Sequence, residues 1–114
     1  MRRIAEIAGR APVVVTGDFN STDQDAAYKT LTSGSGEFPA LSDSRPMAKI
    51  APCGSTQSFN GFSPELKPGH CIDFVFVRNV GAVLRHGIIS EKWDGRFVSD
   101  HYPVLAEIVV REKA

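Results

Sequence analysis

Apolar positions along the chain change period twice, then lapse for a long stretch before a strand-like rhythm returns. Ile4, Ile7 and Ala8 fall at helical spacing, and Gly9 supplies a stop. Pro12 to Thr16 reads as a strand apolar on both faces, the pattern of a sheet covered on both sides. Thr22 can cap a second helix, with Asp23 and Asp25 in its first turn, where the helix dipole favours carboxylates. Tyr28 and Leu31 give that helix an apolar side, and Gly34-Ser35-Gly36 ends it.

Residues 37 to 70 break the pattern. Pro39, Pro46, Pro52, Pro64 and Pro68 lie among serines and glycines, so the segment is predicted to be mostly irregular, with one short strand near Gln57 to Phe59. Phe38, Phe59 and Phe62 favour an ordered loop that packs on the rest of the molecule. Regular structure resumes at "CIDFVFV", with Ile72, Phe74 and Phe76 on one face and Asp73, Val75 and Val77 on the other. Asp73 thus sits on an otherwise apolar face, where a carboxylate without a partner is costly. Ala82 to Ile89 and Pro103 to Val110 are the next strands, and Val104, Ala106, Ile108 and Val110 alternate inward in the last. The predicted order is helix, strand, helix, long loop and three strands, with no internal repeat.

Composition narrows the classes. The 114 residues suffice for one domain with a real core, and 42% hydrophobic with 23% charged residues is ordinary for a globular protein. Lys+Arg and Asp+Glu both number 13, so no net field attracts nucleic acid or an acidic membrane. No apolar run is long enough to span a bilayer, and "MRRIAEIAGR" reads as a short helix and not as a signal peptide. Cys53 and Cys71 permit one bridge but lack metal-ligand spacing, and read as reduced, partly buried thiols.

Three polar clusters stand at strand ends: Asp18 with Asn20 in "TGDFNST", then Asp73, then Asp100 with His101 in "VSDHYPVLAEI". Taken singly they fit a polar turn, a solvated strand end and a capped loop. Together they supply three carboxylates, a carboxamide and an imidazole, an inventory suited to phosphate-ester hydrolysis. A carboxylate can position or deprotonate water, other carboxylates can hold a hard cation, and an oriented imidazole can donate to charge developing on phosphorus.

"VVVTGDFNST", "GHCIDFVFV" and "FVSDHYPVLAEI", in that order, resemble the three C-terminal motifs of the endonuclease/exonuclease/phosphatase superfamily. The likeness runs over roughly residues 4 to 110. It implies an α/β fold of α+β sandwich type, the C-terminal half of a four-layer α/β/β/α sandwich, with one mainly antiparallel sheet and helices on one face. It also implies roles. Asp18 would activate the attacking water, Asn20 and His101 would hold the phosphoryl group, and Asp73 would orient His101. Asp100 would serve the metal region, occupied by Mg²⁺ or by Mn²⁺ in its place. "TQSFNGFSP" is similar to a further family segment, with Ser58 where a threonine is usual, and implies Asn60 and Phe62 beside the substrate.

The family's principal metal ligand, a glutamate, lies in an N-terminal half with no counterpart in this chain; Glu6 is in a helical pattern and far from any strand end. The expectation is a single unit over residues 1–114, a phosphoesterase half-domain inactive or poorly active alone. Its exposed apolar sheet face would take the other half of the domain or form a dimer. The alternatives are a non-catalytic module that keeps the fold for binding or assembly, and an unrelated metal- or nucleic-acid-binding domain. The substrate would be a phosphoester, a small molecule or a nucleic acid.

Overall fold

The computed structural model describes residues 1–63 and 69–110. Its elements run α1 (Arg2–Ala8), β1 (Val13–Asp18), α2 (Ala26–Ser33), β2 (Ser42–Asp43), α3 (Ser44–Met47), β3 (Cys53–Gly54), β4 (Asp73–Arg78), β5 (Ala82–Ile88) and β6 (Val104–Val109). The α/β sandwich class stands, but the single sheet expected from the sequence is two sheets of three strands, ordered β1-β4-β2 and β3-β5-β6.

The division follows from β4, which is apolar on both faces and central in its sheet. Phe74 and Phe76 pack with Val13 and Leu41, under Ile4 and Ala8 of α1 and Tyr28 and Leu31 of α2. Val75 and Val77 on the opposite face pack with Val83 of β5 and with Val104, Ala106 and Ile108 of β6. The chain therefore stacks helices, sheet and second sheet. At the exit of β4, Asn79 adopts a left-handed φ of 57°, and the N–H of Gly81 donates to Val109 O. These steps carry β5 to β6 and away from a hairpin with β4. The other pairings are antiparallel, except that β3 runs parallel to β5. Gly54 permits this last pairing. Its φ is 81°, and a Cβ there would lie 1.9 Å from Ile88 O.

Several local expectations shift. β1 is covered on one face only: Val13 is buried, but Val14 is 48% exposed, because the second sheet covers β4 and not its edge neighbour. Ile7 is exposed, since only the Met1, Ile4 and Ala8 stripe of α1 touches the core. The second helix starts at Ala26, and Asp25, not Thr22, is its N-cap residue. The Asp25 carboxylate accepts from the Thr22 N–H and hydroxyl at 2.7 and 3.1 Å, which locks the loop ahead of the helix. Within the long segment, β2, α3 and β3 form at positions with no periodic signal. The predicted strand near Gln57 to Phe59 reduces to one bridge, Phe59 opposite His101. Pro64 and Pro68 lie outside the described residues. Both cysteines are free thiols, but Cys53 is exposed and not partly buried, because β3 is an edge strand.

A buried polar chain ties the two sheets together. Tyr28 donates to the Asp43 carboxylate at 2.9 Å, and the same carboxylate accepts from Arg45 N–H at 3.0 Å. The Arg45 guanidinium then donates to His86 Nδ1 at 3.3 Å, so His86 is neutral with its proton on Nε2. Burial and the Asp43 charge push the Tyr28 hydroxyl well above its ordinary pKa. Burial first, and the neighbouring Arg45 charge second, hold the His86 pKa below the usual value.

Candidate active site

The end of β1 and the start of β4 are paired so that Asp18 faces Asp73 directly across the ladder. Two adjacent carboxylates repel unless something positive or protic lies between them. His101 fills that place. Its Nδ1 lies 2.8 Å from Asp73 Oδ2, and its Nε2 lies 3.7 Å from Asp18 Oδ2. The partner that Asp73 required on an apolar strand face is thus this imidazole. An N–H at Nδ1 donates to Asp73, which leaves Nε2 facing the Asp18 side. The Asp73 hydrogen bond is the main cause of a raised His101 pKa. Partial burial opposes it, and the charges of Asp73, Asp18 and Asp100 reinforce it.

Asn20 stands just beyond β1 with a left-handed φ of 46°, a conformation asparagine tolerates better than most residues. Its backbone N–H donates to Asp18 Oδ1 at 2.8 Å, which fixes the carboxylate and leaves Oδ2 toward His101. The Asn20 carboxamide makes no hydrogen bond among the described residues and is available to a ligand. Asp18, Asp73 and His101 each offer a ligand atom, all within 4.8 Å of one another, an arrangement able to receive a metal ion. The Asp100 carboxylate lies outside that group of three, although its charge acts on His101.

Ser58 holds this arrangement together, and no periodic pattern along the chain marks it. It is fully buried, and its hydroxyl accepts from the N–H groups of Ile72 and Asp73 at 2.8 and 3.2 Å. Its carbonyl accepts from Tyr102 N–H at 2.7 Å. One residue therefore fixes the start of β4 and the chain beside His101. Phe59 adds an edge-on ring contact to His101, with centroids 5.2 Å apart. The only available signal was Ser58 standing where a threonine is usual in the family segment.

Asn60 does not reach the site as a free amide. It is buried; its Nδ2 donates to Ser99 O, its Oδ1 accepts from Phe62 N–H, and its backbone N–H donates to Asp100 O. With both ends of the carboxamide committed, Asn60 shapes the loop. Phe62 carries a left-handed φ of 59° and is 62% exposed, so its ring is open to a ligand.

The two histidines give stability a defined pH dependence. His101 has a raised folded pKa, so its contribution is complete below about 6.5 and is lost as pH rises through the folded value. His86 has a lowered folded pKa, so stability is lost as pH falls from about 6.5 toward the folded value. Their combined contribution is expected to peak near 6.5. Urea melts in EDTA between about pH 5 and pH 8 check this. His101→Asn should flatten the alkaline limb, and His86→Phe the acid limb. A parent protein whose stability rises steadily through the range would contradict both assignments.

Two stacked sheets, with Asp18, Asp73 and His101 gathered at one end of β1 and β4, define an α/β sandwich with a compact acid–imidazole–acid site. The chain belongs to the endonuclease/exonuclease/phosphatase family, whose model matches residues 2–101. Among solved structures it is similar to an endonuclease/exonuclease/phosphatase from Bacteroides vulgatus. The two share 34% identity at a TM-score of 0.82, over 96% of this chain and 41% of that one. It is also similar to a mannosyl-6-phosphatase from Bacteroides thetaiotaomicron, with 26% identity and a TM-score of 0.82, over 95% of this chain and 42% of that one. A family protein from the same organism shares 27% identity at a TM-score of 0.82, with 97% and 42% covered. The chain thus spans about two-fifths of the length of these structures. No curated protein sequence matches it.

Proposed function

We propose that this chain carries the phosphoryl-binding and water-activating side of a metal-dependent phosphoester hydrolase. The single observation behind this reading is His101, hydrogen-bonded to Asp73 at Nδ1 and turned toward Asp18 at Nε2. Asp73 keeps the ring oriented and favours its protonated form. The Nε2–H then donates to a phosphoryl oxygen as charge builds there. Asp18, steadied by the Asn20 N–H, orients and deprotonates the attacking water. The free Asn20 carboxamide donates to the same phosphoryl group without adding charge.

The oxygen-rich donor set suits a hard cation such as Mg²⁺, with Mn²⁺ a chemical substitute. Asp100 would hold it, directly or through water. When bound, it supplies positive charge against the phosphoryl oxygens. The remaining ligand, a glutamate by family resemblance, belongs to the part of the domain that this chain does not span.

The test is reconstitution. The chain is assayed with Mg²⁺ against a panel of phosphoesters, alone and co-expressed with the portion of the Bacteroides vulgatus relative that it does not cover. Turnover is expected from the pair and little from the chain alone. Full turnover by the isolated chain, or turnover indifferent to EDTA, would sink the proposal.

The surface supports incompleteness of the same kind. Val14 on the edge strand β1, and Leu105 and Val109 on β6, are each at least 44% exposed. Both long edge strands can accept further pairing. The isolated chain is expected to self-associate, as a dimer or larger, in light scattering at high concentration. A monomer at all concentrations would show that this face is not an interface.

A further inference from the structure

A cavity of about 310 Å³ is lined by Phe62, Lys92, Gly95, Arg96 and Phe97. Of its lining residues, only Phe62 has been given a place beside the substrate, and the cationic wall has no role so far. Its two walls are separately fastened to the residues that flank His101. Phe62 is held by Asn60, whose own N–H donates to Asp100 O. Phe97 rests edge-on against buried Tyr102, with centroids 5.3 Å apart. Any shift of either wall would disturb the stretch Asp100 to Tyr102. The cavity is therefore indexed to the imidazole.

The far wall is a tight hairpin. Trp93 and Arg96 exchange both backbone hydrogen bonds, at 2.8 and 3.0 Å, across Asp94 and Gly95 in left-handed conformations. The hairpin carries Arg96 at the cavity rim. Lys92 lies 5.1 Å from the Phe97 ring centroid, in a cation–π contact. Glu91 and Asp94 belong to the same segment but do not line the cavity; among the described residues its charged lining is Lys92 and Arg96. The Arg96 guanidinium enters no ion pair among the described residues, which leaves its forked donors open to an anion.

From this arrangement we infer a second subsite that selects the alcohol part of the phosphoester: a ring that lies on Phe62 and bears a further phosphate, received by Arg96. The inference rests on the phosphoryl-binding role of His101 and adds a substrate class to it. An open aromatic face takes a sugar or base ring. A guanidinium unpaired among the described residues would serve no purpose at the rim for an alcohol without charge. A sugar and a nucleoside bisphosphate share this chemistry, and the experiment separates them.

Trp93 is the single tryptophan of the chain, is 49% exposed, and stands in the hairpin itself, so its emission reports the cavity without any need for turnover. The chain is titrated with glucose monophosphate and glucose bisphosphate, and in parallel with a nucleoside monophosphate and its bisphosphate. In one of the two series, the second phosphate should tighten binding roughly tenfold, the worth of one charge-assisted hydrogen bond. Arg96→Gln should erase that gain without changing monophosphate affinity. Phe62→Ala should weaken ring-bearing ligands and leave inorganic phosphate unaffected. Both side chains are exposed, so neither variant threatens folding. The series that shows the gain identifies the ring. Equal affinities for mono- and bisphosphates in both series, no emission change at millimolar ligand, or a gain that survives Arg96→Gln would overturn the subsite. His101→Asn in the same titrations tests the phosphoryl role separately: it should weaken every phosphate ligand and keep the Arg96-dependent gain.

Discussion

His101→Ala is expected to lower turnover of the reconstituted domain by about a hundredfold to a thousandfold, the scale of losing one donor to a developing oxyanion. The geometry explains why the loss is large. His101 serves two functions at once. Its Nδ1 occupies Asp73, 2.8 Å away, and its Nε2 addresses the space before Asp18. Alanine removes the donor and also leaves two carboxylates facing each other at paired positions of β1 and β4. The donation strengthens as charge builds on phosphorus, so kcat should fall far more than KM rises. The His101 side chain is 29% exposed, so its removal opens little of the core, and unchanged far-UV circular dichroism would separate chemistry from unfolding. A variant with parental kcat would mean that the imidazole is a spacer between carboxylates and not a participant.

Ser58→Ala is expected to carry the second large effect, a loss of about 2–4 kcal/mol in stability. The Ser58 side chain has no solvent contact, and its oxygen is the acceptor for two N–H groups, those of Ile72 and Asp73. Alanine keeps the volume nearly intact but leaves both donors without an acceptor. It also frees the start of β4, which sets where Asp73 meets His101. The variant should therefore lose activity in the reconstituted domain as well as stability, although it touches no substrate. Urea unfolding gives the first quantity and turnover at a temperature where the variant is folded gives the second. A variant as stable as the parent would mean that water replaces the hydroxyl at both donors.

Much of the site was legible because its chemistry conflicts with its surroundings. Asp73 on an apolar strand face demanded a partner, and His101 is that partner. "TGDFNST" behind an apolar strand marked Asp18 and Asn20; Asp18 closes β1, two residues past the expected stop at Thr16, and Asn20 stands just beyond it. The residues that hold the site were far harder to see. Ser58 and Asn60 lie in a segment of serines, glycines and prolines, and a buried serine looks there like any loop serine. Asn60 reads as a free amide until its partners at Ser99 and Phe62 are placed. β2 and β3 are two residues each, too short to leave any period.

Legible from the residues alone were the element types where periodicity ran for several residues, the two-faced nature of β4, the chemical inventory of the site and the family likeness. Those are local properties, written in the spacing of side chains along one segment. The folded arrangement was needed to see that the strands divide between two sheets, that Val14 is uncovered while its neighbour Val77 is buried, and that Arg96 and Phe62 line one cavity. These depend on pairing between segments far apart in the chain. A strand's apolar face states that it must be covered, but not by what.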